Sequence, residues 1–368
     1  MKVHLQTFTV HLRSFPGIHE SFAQQTNLFV RVEHDGIEGW GVASPLPGSN
    51  IRGNTVQTIN GVQTVNEIAR SLQKIAPLLI AHHPTERQKI ARLLDGLDPV
   101  ALPSAARSAL DLALYDWFGK ALNLPLYAIL GLDLEGMGQT AATLDLNDRD
   151  RVRDRIRDWL TQIPELQELT VKLGSSEGIE SDKLMFLAAK NASSHNKSIS
   201  QSISVDAGGG WTLSDALHMQ DWLTKQGVTY IEQPIAPGYE NDLRVLYERS
   251  AIPVFATECR TSRDIPALSD RVHGITIKLS QCGGLSEAIK MVHTARAHGL
   301  KVKLGCCPSD CVLMNTALSH LAPLADYLDI SSHLNFKNHP FEGATLVHGR
   351  LIPNASPGLG VQRVVKQL

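Results

Sequence analysis

The chain has 368 residues, with 35 Lys+Arg against 37 Asp+Glu and a formal charge of −2. That balance excludes the basic surplus of a nucleic-acid binder or of a protein held on an anionic membrane surface. A hydrophobic content of 43% with 20% charged residues excludes wholesale disorder. The length allows two domains, or one barrel-sized domain with a smaller one. All five cysteines fall between Cys259 and Cys311, at spacings that suit neither a disulfide framework nor a zinc site, as expected in a reducing cytosol. The first residues lack the apolar run of a signal peptide, and no stretch approaches the ~18–20 apolar residues of a membrane span. A cytoplasmic location is therefore expected.

In chain order, Val3 to His11 and Asn27 to Glu33 alternate polar and apolar residues. Glu38 to Ala43 follows the turn residues Asp35-Gly36, which together predicts a β-meander. The loop Phe15 to Glu20 and the stretch Ser44 to Asn54 break the alternation with Pro and Gly. Helical periodicity then runs over Val56 to Ala76 and Glu86 to Leu94, and a stronger helix starts at Pro103-Ser104. From about Gly138 the rhythm changes to eight short apolar runs separated by amphipathic helices. The runs are Thr140–Leu144, Leu169–Leu173, Ile203–Val205, Thr229–Ile231, Val254–Ala256, Gly274–Leu279, Lys301–Leu304 and Tyr327–Ile330. Eight strands at a spacing of ~20–35 residues favour a closed barrel over a doubly wound open sheet, which usually needs fewer. The predicted fold class is α/β: a (β/α) barrel over 126–340, an N-terminal α+β capping domain over 1–125, and a C-terminal segment, 341–368, packing back on the cap.

In a parallel barrel the active site sits where strands end. Here the strand ends carry Lys172, Asp206, Glu232, Glu258, Lys278 and Asp329, and the first five are separated by 34, 26, 26 and 20 residues, each close to one βα unit. Three carboxylates flanked by two lysines thus share one rim. Converging carboxylates repel unless a divalent cation sits among them, and an all-oxygen set favours Mg²⁺ or Mn²⁺ over zinc. A cation beside the lysines would lower their pKa values, making one a usable general base.

The series Thr170-Val171-Lys172-Leu173-Gly174, Val205-Asp206-Ala207, Ile231-Glu232-Gln233-Pro234 and Ile277-Lys278-Leu279-Ser280-Gln281-Cys282-Gly283-Gly284 resembles the enolase superfamily. Lys278 followed by Gly283-Gly284 resembles its muconate-lactonizing branch, which includes dipeptide epimerases and o-succinylbenzoate synthases. The resemblance covers nearly the whole chain, including the ending Pro357-Gly358-Leu359-Gly360-Val361. It implies abstraction of a proton α to a carboxylate, with Mg²⁺ held by Asp206, Glu232 and Glu258. Lys172 and Lys278 would face each other across the α-carbon, and the implied substrate contacts are Asp329, Ser331, His19, Ile18 and Thr143. The substrate would be a small-molecule carboxylate, a dipeptide or N-acyl amino acid; no nucleic acid or membrane partner is expected, and a homo-oligomer is.

Four places depart from the family pattern. Thr170 stands for the first lysine of a Lys-x-Lys pair, and Thr257-Glu258-Cys259 for Asp-Glu-Ser, so that Thr257 or Glu258 takes the third ligand position. The seventh-strand Glu-Ser is replaced within Cys306-Cys307-Pro308-Ser309-Asp310, and the eighth-strand Asp-x-Asp by Asp329-Ile330-Ser331. These departures leave open a cycloisomerase, an o-succinylbenzoate-synthase-like dehydratase, or a scaffold that binds without turnover.

Overall fold

The computed structural model describes residues 1–11, 13, 24–45, 50–51, 54–55, 64–79, 86–97, 102–145, 151–194, 202–236 and 238–364. Ile18 and His19 lie outside the described residues.

The alternating N-terminal segments form an antiparallel meander, β1 (Lys2–His11), β2 (Gln24–His34) and β3 (Ile37–Ala43), in that order. Asp35 and Gly36 have φ of 50° and 74°, the two-residue left-handed turn whose twist matches that of paired strands. A short antiparallel pair, β4 (Asn50–Ile51) and β5 (Asn54–Thr55), precedes the helices α1 (Val65–Leu79), α2 (Arg87–Asp95) and α3 (Ser104–Ala121). Helix α3 lies on β3, and the contact is close because β3 carries Gly39 and Gly41. A Cβ at either would overlap the carbonyls of Ala113 or Ala109.

After the single turn α4 (Leu126–Ile129), eight parallel strands follow: β6 (Ala142–Leu144), β7 (Glu168–Lys172), β8 (Ser202–Asp206), β9 (Ile231–Glu232), β10 (Val254–Ala256), β11 (Gly274–Ile277), β12 (Lys301–Gly305) and β13 (Tyr327–Asp329). Each pairs with its neighbours in chain order, and the ring closes where Ala141 N–H donates to the Leu328 carbonyl at 2.8 Å. Between them run α5 (Val152–Gln162), α6 (Ile179–Ser193), α7 (Leu213–Gln226), α8 (Leu243–Arg249), the turn α9 (Leu279–Cys282), α10 (Leu285–Ala297) and α11 (Val312–Leu321). This is the (β/α) barrel with a capping unit that the sequence predicts. The expected strand to Leu279 ends earlier, at Ile277, because the chain turns into α9 directly after Lys278.

Two buried aspartates of α3 tie the cap to the rest. Asp111 accepts from Ser286 N–H at 2.9 Å and Ser286 Oγ at 2.7 Å, fixing the loop after β11. That loop carries Gly284 at φ 113°, where a Cβ would run into the Asp111 carboxylate. Asp116 accepts from Trp40 N–H and Leu359 N–H, each at 2.8 Å, and Phe341 packs on Phe29 and Trp40, so residues beyond 340 touch both α3 and the meander. Among the described residues no helix is long and apolar enough to cross a membrane.

Candidate active site

Strand alternation decides which side chains enter the barrel. Lys172, Asp206 and Glu232 are partners across the β7–β8–β9 ladder, side by side at the strand ends. One layer deeper an aromatic cluster of Tyr230, Phe255 and Tyr327, with ring centroids 4.7–5.5 Å apart, fills the barrel. The loops that follow β7 and β8 are held by a buried aspartate that sequence reasoning missed. Asp182, in α6, accepts from Gly174 N–H at 3.0 Å, Ser175 N–H at 2.9 Å and the Trp211 indole N–H at 2.7 Å. Gly174 and Gly210 let those two loops touch backbone to backbone, where a Cβ would overlap.

The electrostatics of the rim follow from this crowding. Burial and the neighbouring Glu232 push the Asp206 carboxyl above its ordinary range, against the pull of Lys172, Lys278 and Lys303. Asp145, with Asp206 behind it, raises the Lys172 ammonium, and burial and Lys278 oppose the rise. Burial acts to lower Lys278, but Glu232, Cys307 and Asp206 outweigh it and raise it. Both lysines are thus ammonium groups tied to site carboxylates; the lowering that a bound cation would bring is not present in the protein's own charges. Lys278 lies across Gly305 of β12, where an added Cβ would sit 3.4 Å from its Cε.

Glu232 is the most heavily engaged group. Its Oε2 accepts from Lys303 Nζ at 2.6 Å and its Oε1 from Thr257 Oγ1 at 2.8 Å. Lys303 and Glu232 are each only 2% exposed. Burial acts to raise Glu232, yet Lys303 and Lys278 hold it below the usual carboxylate range. Lys303 is itself raised well above its ordinary value, Glu232, Tyr230 and Asp329 outweighing burial. Lys303 was not among the expected site residues. The signal was its place in Lys301-Val302-Lys303-Leu304-Gly305, an alternation that reads as one wet face but has no wet face inside a closed barrel.

The third expected ligand is placed differently from the expectation. Thr257, two residues on from Phe255, keeps the inward phase and meets Glu232. Glu258 is out of phase, and its carboxylate takes the Gln233 side-chain amide and, at 3.5 Å, Arg260. Among the described residues no three His, Cys, Asp or Glu side chains form a metal-binding group. The rim brings Asp206 and Glu232 side by side, with Glu258 set apart from them on Gln233. Two still fit Mg²⁺, which keeps several waters and is held by one or two carboxylates together with substrate. Asp206 Oδ1 accepts from Gly208 N–H at 2.9 Å, and each carboxylate oxygen has a second lone pair to offer.

On the eighth strand, Asp329 Oδ2 accepts from Thr143 Oγ1 at 2.7 Å and lies 3.9 Å from Lys303 Nζ, so these three expected and unexpected residues meet. Ser331 does not join them. It is buried, and its hydroxyl donates to the Ala141 carbonyl at 2.9 Å, across the seam that closes the barrel. Burial pushes the half-buried Cys306 thiol up and the buried Cys307 thiol up to about 11, the reverse of the lowered value that activates a nucleophilic cysteine.

A barrel whose strand ends present two lysines around a pair of carboxylates, under an α+β cap, is the architecture of an enolase-type enzyme. Residues 170–364 match the model of the enolase C-terminal domain-like family, and residues 6–131 that of the mandelate racemase / muconate lactonizing enzyme N-terminal domain. The chain belongs to that family. It is 35% identical over 335 residues to a hydrophobic dipeptide epimerase of a Flavobacteria bacterium, covering 91% of this chain and 90% of the relative. It is 36% identical over 342 residues to another from Roseobacter litoralis, covering 92% of each. The fold is shared with the dipeptide epimerase of Methylococcus capsulatus complexed with Mg and the dipeptide L-Arg-D-Lys, at a TM-score of 0.79, 24% identity and 98% coverage of both chains.

Proposed function

We propose that the protein is an isomerase, an epimerase that removes and returns the proton α to a carboxylate of a dipeptide or N-acyl amino acid. The observation that carries this reading is the placement of Lys172 and Lys278 at the ends of β7 and β11, each tied to Asp206 among the carboxylates between them. Mg²⁺, with Mn²⁺ as the alternative, held by Asp206 and Glu232, would supply positive charge for the negative charge that develops on the substrate carboxylate and would offset the carboxylates that raise the lysines.

The protein's own groups then divide the work. One lysine, as the free amine, takes the α-proton; the other, as ammonium, delivers one from the opposite face, which inverts the centre and leaves the proton count unchanged. Asp182 fixes the loops that follow Lys172 and Asp206, and Asp111 fixes the segment that follows Lys278. Asp329, oriented by Thr143, would receive a substrate ammonium. Lys303 competes for the same carboxylate, which favours N-acyl substrates beside free dipeptides. Five free thiols suit a reducing, cytoplasmic setting.

The test is incubation with a library of dipeptides and N-acyl amino acids and Mg²⁺ in D₂O, reading α-deuterium by mass. Incorporation of one deuteron, with appearance of the epimer, is expected for a subset of the library. No exchange for any member, with the protein folded, contradicts the reading.

A further inference from the structure

We infer that Lys303 is a built-in cation for Glu232, a positioning residue that makes the site take a divalent ion weakly until the substrate carboxylate arrives. The inference rests on the metal reading above. It starts from geometry: Lys303 Nζ is 2.6 Å from Glu232 Oε2, 3.9 Å from Asp329 Oδ2 and 5.2 Å from the centroid of the Tyr230 ring. A lysine this deeply buried is retained only with charge partners, and these three supply them. Thr257 Oγ1 takes the other Glu232 oxygen, so the protein already bonds both. An arriving dication can use only a remaining lone pair and must do so beside a fixed positive charge.

The balance around the barrel mouth points the same way. Three ammonium groups, Lys172, Lys278 and Lys303, already face the carboxylates Asp206, Glu232 and Asp329. Addition of Mg²⁺ alone leaves that cluster strongly positive. A substrate carboxylate lowers that excess by one charge, so each ligand strengthens the binding of the other, a coupling that is reciprocal by linkage. Lys303 is assigned no part in proton transfer here: it lies one layer below the rim lysine Lys278, with its ammonium on Glu232.

The experiment is isothermal titration of Mg²⁺ alone into the full chain and into K303M, K303Q and K303R. K303Q keeps a donor to Glu232 without the charge, and K303R keeps the charge. The neutral variants should bind Mg²⁺ at least about tenfold more tightly than the natural chain, with K303R close to it. Equal or weaker binding by a folded neutral variant overturns the inference. Where the neutral variants resist purification without metal, their melting temperature should rise on adding Mg²⁺ by more than that of the natural chain; an equal rise also overturns it. None of these readouts uses turnover, so they separate this inference from the epimerase reading, which stands or falls on deuterium exchange.

Discussion

Two sets of strand ends, interleaved around the barrel mouth, are built on different terms. In one set, β7, β8, β9 and β11 present Lys172, Asp206, Glu232 and Lys278 at their ends, in the order the family resemblance leads one to expect. In the other, β10, β12 and β13 present Thr257, Lys303 and Asp329, where the resemblance leads one to expect carboxylates at more of the positions. The contrast separates two tasks. The groups proposed to exchange a proton stand in the first set; a hydroxyl and a buried ammonium that act on the charge around them stand in the second. Glu232 joins the sets, with the Asp206 ladder on one flank and Thr257 and Lys303 on the other.

The sharpest way to break this contrast is at that joint. E232Q leaves Lys303 buried with Asp329 at 3.9 Å and the more distant Glu168 and Asp206, and removal of one partner of a buried ion pair costs about 3–5 kcal/mol. Urea denaturation should show a loss of about 4 kcal/mol; an unchanged midpoint would mean that the pair does not join the two sets. In the first set, D182A strands the Gly174, Ser175 and Trp211 donors, each worth about 1–3 kcal/mol when left unpaired in the interior. A loss of about 3 kcal/mol in the same assay is expected, together with a fall in exchange rate larger than any rise in KM, since the loops behind Lys172 and Asp206 lose their anchor. Beyond the second set, after β13, S331A should cost about 1 kcal/mol or less and leave the preference between free dipeptides and N-acyl substrates unchanged, because its hydroxyl is spent on the Ala141 carbonyl. A tenfold change in that preference would place Ser331 against the substrate after all.

The fold was legible because every barrel strand is a short apolar run, and the run alone locates it to within a residue or two. The first set was legible for a related reason: Lys172, Asp206, Glu232 and Lys278 are ionisable residues that end such runs. Glu258 also ends one, but alternation counted from Phe255 gives the inward position to Thr257, and a count of parity would have separated them. Lys303 escaped because it lies inside its strand, where a lysine between Val302 and Leu304 reads as solvent-facing until the sheet is known to close. Asp182 and Asp111 lie within helices, and nothing local marks them; their partners are 7 to 29 residues away for the first and 175 for the second. Gly283-Gly284 was visible as a motif, but its physical reason, the approach of α3 through Arg107 and Asp111, exists only in three dimensions.

The central claim is that Lys172 and Lys278 act on opposite faces of one carbon, and stereospecific exchange tests it most directly. K172A and K278A, each given the separate L and D epimers of one accepted substrate in D₂O, should lose epimerisation by at least about 10³-fold. Each variant should retain α-deuterium exchange with one epimer only, and the two variants with opposite epimers. Retention of exchange with the same epimer by both, or of epimerisation by either, would contradict it.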